Sequence, residues 1–327
     1  MSDCHAECNE ASRPCPRGLL LALRMTGLSI LERVFCTLMS ELRVTKEAEV
    51  AWHNGHKPQL SFGPAPIIEH KFYDKPSVFT PENLLREARR QKALAVGKVP
   101  AICVLDPDGD LVDYLHEMNC AKPHPTWACY HTALDTFVHE GIEFGVIGRV
   151  VGASFAVLVA EELFASGCEL LISITSAGQI ISVAHPPYVV LIEKALRDEG
   201  TSYHYLPPSQ YSRLHQELRN TIYCAWDNRH VPLYMGASWT TDAPFRETEA
   251  MITRCRESGI LSVEMEAAAL YALAEAKRYK IICFAHITNQ MGQIEGDFEK
   301  GQAQGNFTAL NILTQTALAW QGSRRSS

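Results

Sequence analysis

The sequence predicts an α/β fold, in which helices are layered on a mostly parallel or mixed β-sheet. Apolar runs of strand length alternate with helical segments along most of the 327 residues, and this alternation is typical of such folds. An apolar content of 46% is enough to bury the core of one large domain or two modest ones. Polar residues follow several of the predicted strands, at the edge where ligands bind in such sheets.

The first helix of the main domain has clear boundary signals. Thr80 is a typical N-cap, Pro81 suits the first helical position, and Glu82 places a negative charge in the first turn. The helix is predicted to continue to about Lys92.

Strands and helices then alternate to the end of the chain. The remaining strands are predicted at Val99–Asp106, Gly141–Val151, Cys168–Gly178, Thr201–Pro207, Val231–Trp239 and Tyr279–Asn289. The remaining helices are predicted at Ser154–Gly167, Pro186–Gly200, Pro244–Gly259, Ser262–Ala276 and Asn306–Trp320. Asp242 is predicted to be an N-cap, and "DPDGD" is interpreted as a turn rather than a calcium loop.

A segment rich in glycine and proline divides the chain. Asn54–Pro66 is typical of a linker, so residues 1–62 are predicted to form an N-terminal extension and residues 63–327 the main domain. The helical segment Gly18–Cys36 is interrupted by charged side chains and is too broken to span a membrane. We expect an extra helix lying on the domain; an amphipathic targeting or docking helix is the alternative.

Charge and cysteine content exclude several classes of partner. A net charge of -7 and a pI near 6.0 provide no basic field for nucleic acid or an anionic membrane, so we expect neither partner. The eleven cysteines are scattered without the spacing of a metal site, which predicts no metal and a reducing, cytoplasmic setting.

Two of the predicted strands end in polar residues suited to a ligand. Thr175, Ser176 and Gly178 offer hydroxyls and open backbone N–H groups for an anion or a sugar oxygen, although an ordinary turn is the alternative. Asn289 offers both a donor and an acceptor, as reading a nucleobase edge requires, although it too could be a turn residue. The chain lacks the motifs of a serine-hydrolase elbow, a P-loop, a zinc protease and a dinucleotide-binding turn.

Three segments resemble the nucleoside phosphorylase and nucleosidase family. They are "VEMEAAAL", "GASFAVLVAEEL" and "TSAG", and the similarity extends from about Val99 to Trp320. It implies a catalytic domain with a three-layer α/β/α fold and a central mixed sheet, assembled as a dimer, trimer or hexamer. It also implies cleavage of an N-glycosidic bond, with a nucleoside and phosphate as substrates and no cofactor.

The same resemblance assigns roles around the ribose and the base. Met265 is expected under the ribose, and Glu266 is expected to accept hydrogen bonds from the 2′ and 3′ hydroxyls of the ribose. The alternative for Glu266 is a solvated acid in the first turn of a helix. For Glu264, a solvated first-turn acid is the expectation. Phe245 resembles the aromatic that stacks on base or ribose, and Arg246 could read the base edge or lie in solvent.

Asn289 bears on the choice of base. It occupies the position where purine-cleaving relatives carry an Asp that supports protonation of the base, twenty-three residues after the ribose glutamate. An amide cannot supply a proton as an acid would, but it can hydrogen-bond a carbonyl. Asn289 therefore favours a pyrimidine or a 6-oxopurine over adenine, as in a uridine phosphorylase.

The phosphate site departs from the family pattern. Ser173 stands where phosphorylases carry an Arg, and the segment after the first strand keeps Asp106 but lacks the following Arg. Arg149 is either an anion ligand or a salt-bridged surface residue, and Asp108 or Asp110 could position water as in a nucleosidase. We expect phosphorolysis with Asn289 and Ser176 as catalytic residues; a nucleosidase, or a nucleoside-binding protein without turnover, is the alternative.

Overall fold

The computed structural model describes residues 67–68, 71–291 and 295–325. The predicted extension at residues 1–62, its helix and the linker at residues 54–66 lie outside the described residues. The boundary between residues 62 and 63 therefore stays a prediction.

The described residues form ten strands and seven α-helices joined by short 3₁₀ turns. The strands are β1 Ile102–Asp106, β2 Lys122–Pro123, β3 Asp135–His139, β4 Ile142–Gly148, β5 Leu170–Gln179, β6 Tyr188–Asp198, β7 Tyr211–Arg213, β8 Leu233–Thr241, β9 Ile260–Glu264 and β10 Lys280–Asn289. The helices are α1 Pro81–Lys92, α2 Asp110–Glu117, α3 Ala153–Ala165, α4 Gln216–Ala225, α5 Glu249–Glu257, α6 Ala267–Lys277 and α7 Asn306–Arg325. The 3₁₀ turns are Ser202–His204, Pro244–Arg246 and Gln302–Gly305.

All ten strands belong to one mixed sheet, part of which closes on itself. The strand order is β10-β6-β8-β9-β5-β1-β4-β3-β2, with β7 beside β6. Strand β10 also pairs with β5, so that β5, β10, β6, β8 and β9 complete a ring. Strands β1, β4, β5 and β10 run parallel to each other, whereas β10 and β6 are antiparallel. The predicted three-layer α/β/α fold with a central mixed sheet is confirmed.

The apolar helix α6 is buried against another helix and against strands of the sheet. Its first eight residues are all buried, and it contacts α3, β6 and β7. A helix that is apolar on every side needs such a position. In the described part of the chain, no helix has the length and apolar character needed to cross a bilayer.

The predicted first helix of the main domain agrees with the structure. Helix α1 runs from Pro81 to Lys92, and the hydroxyl of Thr80 accepts a hydrogen bond from the backbone N–H of Asn83. Among the later elements, β1, β4, β5, β8, β10, α3 and α7 fall within or beside the predicted ranges.

The predicted helix at Pro186–Gly200 is wrong, because these residues form strand β6. Five consecutive side chains from Tyr188 to Ile192 are buried, since β6 lies between β10 and β8 inside the ring. A continuous apolar run of this kind has no alternation that distinguishes a buried strand from a buried helix. The β-branched residues in the run were the signal for a strand.

The predicted strand at Thr201–Pro207 is also wrong. Residues Ser202–His204 form a 3₁₀ turn, and the buried carboxylate of Glu199 accepts hydrogen bonds from the backbone N–H groups of Thr201 and Ser202. A carboxylate that satisfies consecutive N–H groups favours a turn over a strand ladder.

Two predicted helix starts are corrected. The segment Ser262–Ala276 begins in strand β9 and becomes helical only at Ala267. The helix predicted at Pro244–Gly259 begins at Glu249, with Thr248 as its N-cap. Asp242 is not a helix cap; its carboxylate accepts a hydrogen bond from the backbone N–H of Gly200.

Candidate active site

The predicted ligand-binding residues of β5 meet the start of α6 at one place. Thr175 and Ser176 lie near the end of β5, while Glu266 occupies the turn between β9 and α6. His286 of β10 lies beside Ser176 in the parallel pairing of β5 with β10. The fold therefore brings the two β5 residues together with residues that lie ninety or more positions later in the sequence.

Glu266 is a buried carboxylate whose bonding is only half complete. It is 2% exposed, and its Oε1 accepts a hydrogen bond of 2.7 Å from the backbone N–H of Gly152. Its Oε2 is buried and has no hydrogen-bond partner among the described residues. Burying a carboxylate oxygen without a hydrogen-bond donor costs free energy, so this atom suits a hydrogen bond donated by a ligand hydroxyl.

The electrostatic surroundings of Glu266 also favour an added donor. Burial raises the pKa of Glu266, and the negative charge of Glu264 raises it further. The N–H of Gly152 and the hydroxyl of Thr175 oppose this rise without overcoming it. Additional hydrogen bonds to the ionised form would lower the pKa, which means that a hydroxyl ligand would bind the carboxylate more tightly than the acid.

Glu264 is not the solvated acid that we expected. It is buried, and its Oε2 accepts hydrogen bonds of 2.7 Å from the backbone N–H groups of Glu266 and Ala267. Its Oε1 accepts a hydrogen bond of 2.5 Å from the hydroxyl of Thr240. Glu264 therefore caps α6 from inside the protein, because these N–H groups have no partner within the helix.

Met265 lies between the two glutamates and is partly exposed. The backbone N–H of Glu266, on the C-terminal side of Met265, donates to the carboxylate of Glu264. This hydrogen bond holds the Glu264–Glu266 turn in place. The strand, the cap and the helix together present Glu266 at the site.

Ser176 belongs to a cluster of charged residues. Its hydroxyl donates a hydrogen bond to the carboxylate of Asp108. The ammonium group of Lys300 lies 3.2 Å from the same oxygen of Asp108 and also pairs with Asp110. Asp108 lies in the turn after β1, and Asp110 is the first residue of α2.

A small cavity of about 30 Å³ lies within this cluster. Its polar lining consists mainly of Asp106, Asp108, Asp110, Thr175, Ser176, His286 and Lys300. A volume of this size is close to that of a single water molecule.

Burial shifts the pKa values of two groups that line the cavity. Burial raises the pKa of Asp106 to about 6, although the N–H groups of Val112 and Gly109 act in the opposite direction. Burial lowers the pKa of His286 to about 4, so its imidazole is neutral at pH 7. The positive charge facing the cavity is therefore carried by Lys300 rather than by His286.

Asn289 is the last residue of β10, where it pairs with Gly178 of β5, and it does not line the cavity. It is buried, its Oδ1 accepts a hydrogen bond of 2.9 Å from the N–H of Met291, and its Nδ2 donates to the hydroxyl of Thr288. A Cβ atom added at Gly178 would lie 3.4 Å from its Oδ1. An amide nitrogen carries two donors, so Asn289 has one N–H beyond the one that donates to Thr288.

The structure does not bring Arg149, Phe245 or Arg246 into the lining of the cavity. The guanidinium of Arg149 lies 2.6 Å from the carboxylate of Asp113, with 61% of its side chain exposed. Phe245 is 99% exposed, and Arg246 is exposed in the same 3₁₀ turn. Their predicted roles stay predictions.

Sequence reasoning missed Lys300 and gave no site role to His286. Lys300 lies in a loop after β10 and belongs to no recognisable motif, so the sequence offered no signal for it. His286 could have been found from the parallel pairing of the strands that end in Ser176 and Asn289, which aligns it with Ser176.

Comparisons with known proteins agree with this architecture. A model of the phosphorylase superfamily matches residues 101–320. A guanosine phosphorylase from Halorubrum lacusprofundi is 25% identical over 188 residues, which cover 55% of this chain and 77% of that protein. A uridine phosphorylase from Thermococcus kodakarensis is 24% identical over 195 residues, which cover 54% and 69%.

A DeoD-type purine nucleoside phosphorylase from Shewanella oneidensis is 27% identical over 190 residues, which cover 56% of this chain and 77% of that protein. Among solved structures, the fold resembles a uridine phosphorylase from Vibrio fischeri complexed with 6-hydroxy-1-naphthoic acid. The TM-score is 0.55 at 20% identity, with 67% of this chain and 90% of that chain covered. At this identity the likeness concerns the fold.

Proposed function

The chain belongs to the phosphorylase superfamily, and from that premise we propose that it cleaves the N-glycosidic bond of a ribonucleoside by phosphorolysis. The products are the free base and ribose 1-phosphate. The three relatives described above, each matching a little over half of this chain, are named as guanosine, uridine and purine nucleoside phosphorylases, which supports this reaction type.

The observation that carries the proposal is the half-satisfied carboxylate of Glu266. Its Oε2 needs donors, and the vicinal hydroxyls of ribose supply two of them. We assign the ribose to Glu266, with Met265 beneath it, as the family resemblance implies. Ionised Glu266 would also favour the positive charge that builds on the ribose ring as the bond to the base breaks.

The nucleophile is assigned to the cavity at Ser176. Thr175 connects the two parts of the site, because it lowers the pKa of Glu266 and also lines the cavity. A phosphate bound beside Ser176 would therefore lie next to a ribose held by Glu266. Holding both reactants in place converts a bimolecular step into one within the complex.

We assign the base to the neighbourhood of Asn289 and infer a base with a carbonyl group. The remaining N–H of the Asn289 amide can donate to a carbonyl oxygen, as in uracil or a 6-oxopurine, and cannot protonate a ring nitrogen as an acid would. Two of the relatives are named for guanosine and uridine, whose bases both carry such carbonyls.

Hydrolysis is the second candidate, and the cavity at Ser176 specifically favours it. Three aspartates line this cavity, and its volume is about that of one water molecule. Asp108 accepts the hydrogen bond of Ser176 and could orient or deprotonate a water in the same way. In that case the products would be the base and free ribose.

The test compares base release from uridine, inosine, guanosine and adenosine with and without phosphate. We expect release to require phosphate and to be fastest with a carbonyl-bearing base. Equal release without phosphate would favour hydrolysis, and nucleoside binding without any product would show a binding protein. We also propose that the protein is a homo-oligomer, that it is cytoplasmic, and that it needs phosphate as co-substrate but no cofactor. Light scattering on the purified protein tests the oligomeric state.

A further inference from the structure

The charge at the nucleophile cavity differs from what a phosphate site needs. Ser173 and the segment after Asp106 lack the arginines of the family pattern, and no arginine lines the cavity in the part of the chain that the structure describes. A divalent or monovalent phosphate would meet Asp108 and Asp110, which repel it. If this chain uses phosphate, another group must supply positive charge.

Lys300 is the cationic side chain among the described residues that line the cavity. Its side chain is 24% exposed, and its ammonium group contacts both Asp108 and Asp110. His286 cannot replace it, because burial keeps the imidazole neutral. Arg149 is already paired with Asp113 at the surface.

The charge of Lys300 is secured by its partners. Burial alone would lower the pKa of Lys300, but the hydrogen bonds and charges of Asp110 and Asp108 outweigh burial and raise it. An ammonium group has three donors, so Lys300 can keep Asp108 while exchanging another partner. Asp110 is the partner to exchange, because Asp108 is also held by the hydroxyl of Ser176.

We propose that Lys300 is the phosphate-binding cation of this site and that phosphate takes the place of Asp110 on it. The inference rests on the proposed phosphorolysis. With the Lys300–Asp110 pair closed, the cavity has room for about one water molecule; parting the pair both enlarges the cavity and frees the donor that Asp110 holds, so that it can bind an oxyanion. Lys300 then replaces, from a different part of the chain, the guanidiniums that the sequence has lost.

The experiment measures KM for phosphate and for nucleoside in Lys300→Met, Lys300→Arg and Asp110→Asn. We expect Lys300→Met to raise KM for phosphate roughly 10- to 150-fold, the scale of one lost charge-assisted hydrogen bond, with a small change in KM for nucleoside. Lys300→Arg should recover most of the affinity for phosphate. Asp110→Asn should lower KM for phosphate several-fold, because it removes the competing carboxylate and leaves Lys300 on Asp108.

Lys280→Met is the matched control. Lys280 lies at the other end of β10 and pairs with the exposed Glu217 at 3.4 Å, so its replacement should leave both KM values unchanged. Thermal unfolding with and without phosphate provides a readout that needs no turnover. Phosphate should raise the Tm of the wild type and of Lys280→Met, and should leave the Tm of Lys300→Met unchanged.

The outcomes separate this inference from the proposed function. If base release by the wild type depends on phosphate but Lys300→Met keeps the wild-type KM for phosphate, Lys300 is not the phosphate-binding cation, although phosphorolysis stands. If Asp110→Asn weakens phosphate binding, the proposed exchange is wrong. If the wild type releases base without phosphate and phosphate does not raise its Tm, both proposals fail.

Discussion

Replacement of Glu266 by glutamine isolates its role toward ribose. The amide oxygen of Gln can keep the hydrogen bond from the N–H of Gly152, whereas the amide nitrogen replaces the acceptor Oε2 that has no partner among the described residues. A hydrogen bond to a charged group contributes roughly 1.5–3 kcal/mol, which is roughly a 10- to 150-fold change in kcat/KM for each ribose hydroxyl lost.

The assay compares a ribonucleoside with its 2′-deoxy analogue in both proteins. We expect kcat/KM of the wild type to be roughly 10- to 150-fold higher for the ribonucleoside than for its 2′-deoxy analogue. Glu266→Gln should lose most of this preference, together with activity. Folding should not suffer, because the substitution removes a buried carboxylate that lies near Glu264. An unchanged ribose preference in Glu266→Gln, with the protein still folded, would refute the assignment.

Four further predictions concern other residues of the site and its surroundings. Glu264→Gln should lower the free energy of unfolding by roughly 1–3 kcal/mol, measured with urea, because one of three donors to Glu264 loses its acceptor; unchanged stability would contradict its capping role. Asn289→Asp should shift the ratio of kcat/KM values from inosine toward adenosine, and an unaltered ratio would remove Asn289 from base recognition. His286 takes up its proton near pH 6.5 in the unfolded chain but near pH 4 in the folded protein, where Asp108, Asp110 and Lys300 face it, so stability should fall as the pH drops through this range. This contribution is roughly 3 kcal/mol and should be absent in His286→Gln, as urea unfolding at several pH values would show; equal pH profiles would contradict it. Gly305→Ala should lower Tm, because Gly305 has a φ of +82° and an added Cβ would lie 2.6 Å from His286; an unchanged Tm would show that the contact relaxes at no cost.

The fold could be predicted where local signals and global structure agree. Thr80 and Pro81 set the start of α1 by chemistry within four residues, and the structure has the same boundary. Strand β6 was missed because its burial comes from neighbours on both sides, which a single apolar run does not reveal. The closure of the sheet by β10 and β5 likewise depends on pairings between distant segments.

The candidate site divides in the same way. The motif around Glu266 led to a buried carboxylate, and the polar end of the predicted strand at Ser176 led to the cavity. The two glutamates were distinguished for the wrong reason, since Glu264 is buried as a cap rather than solvated. Lys300 joins the site only because the segment that carries it lies against α2, and no local pattern in the sequence records that contact.

The most direct test of phosphorolysis is phosphorus NMR of a reaction with excess inorganic phosphate and a carbonyl-bearing ribonucleoside. We predict one equivalent of ribose 1-phosphate for each equivalent of base released, with inorganic phosphate consumed to match. Base released with no new phosphate ester would contradict phosphorolysis and identify water as the nucleophile.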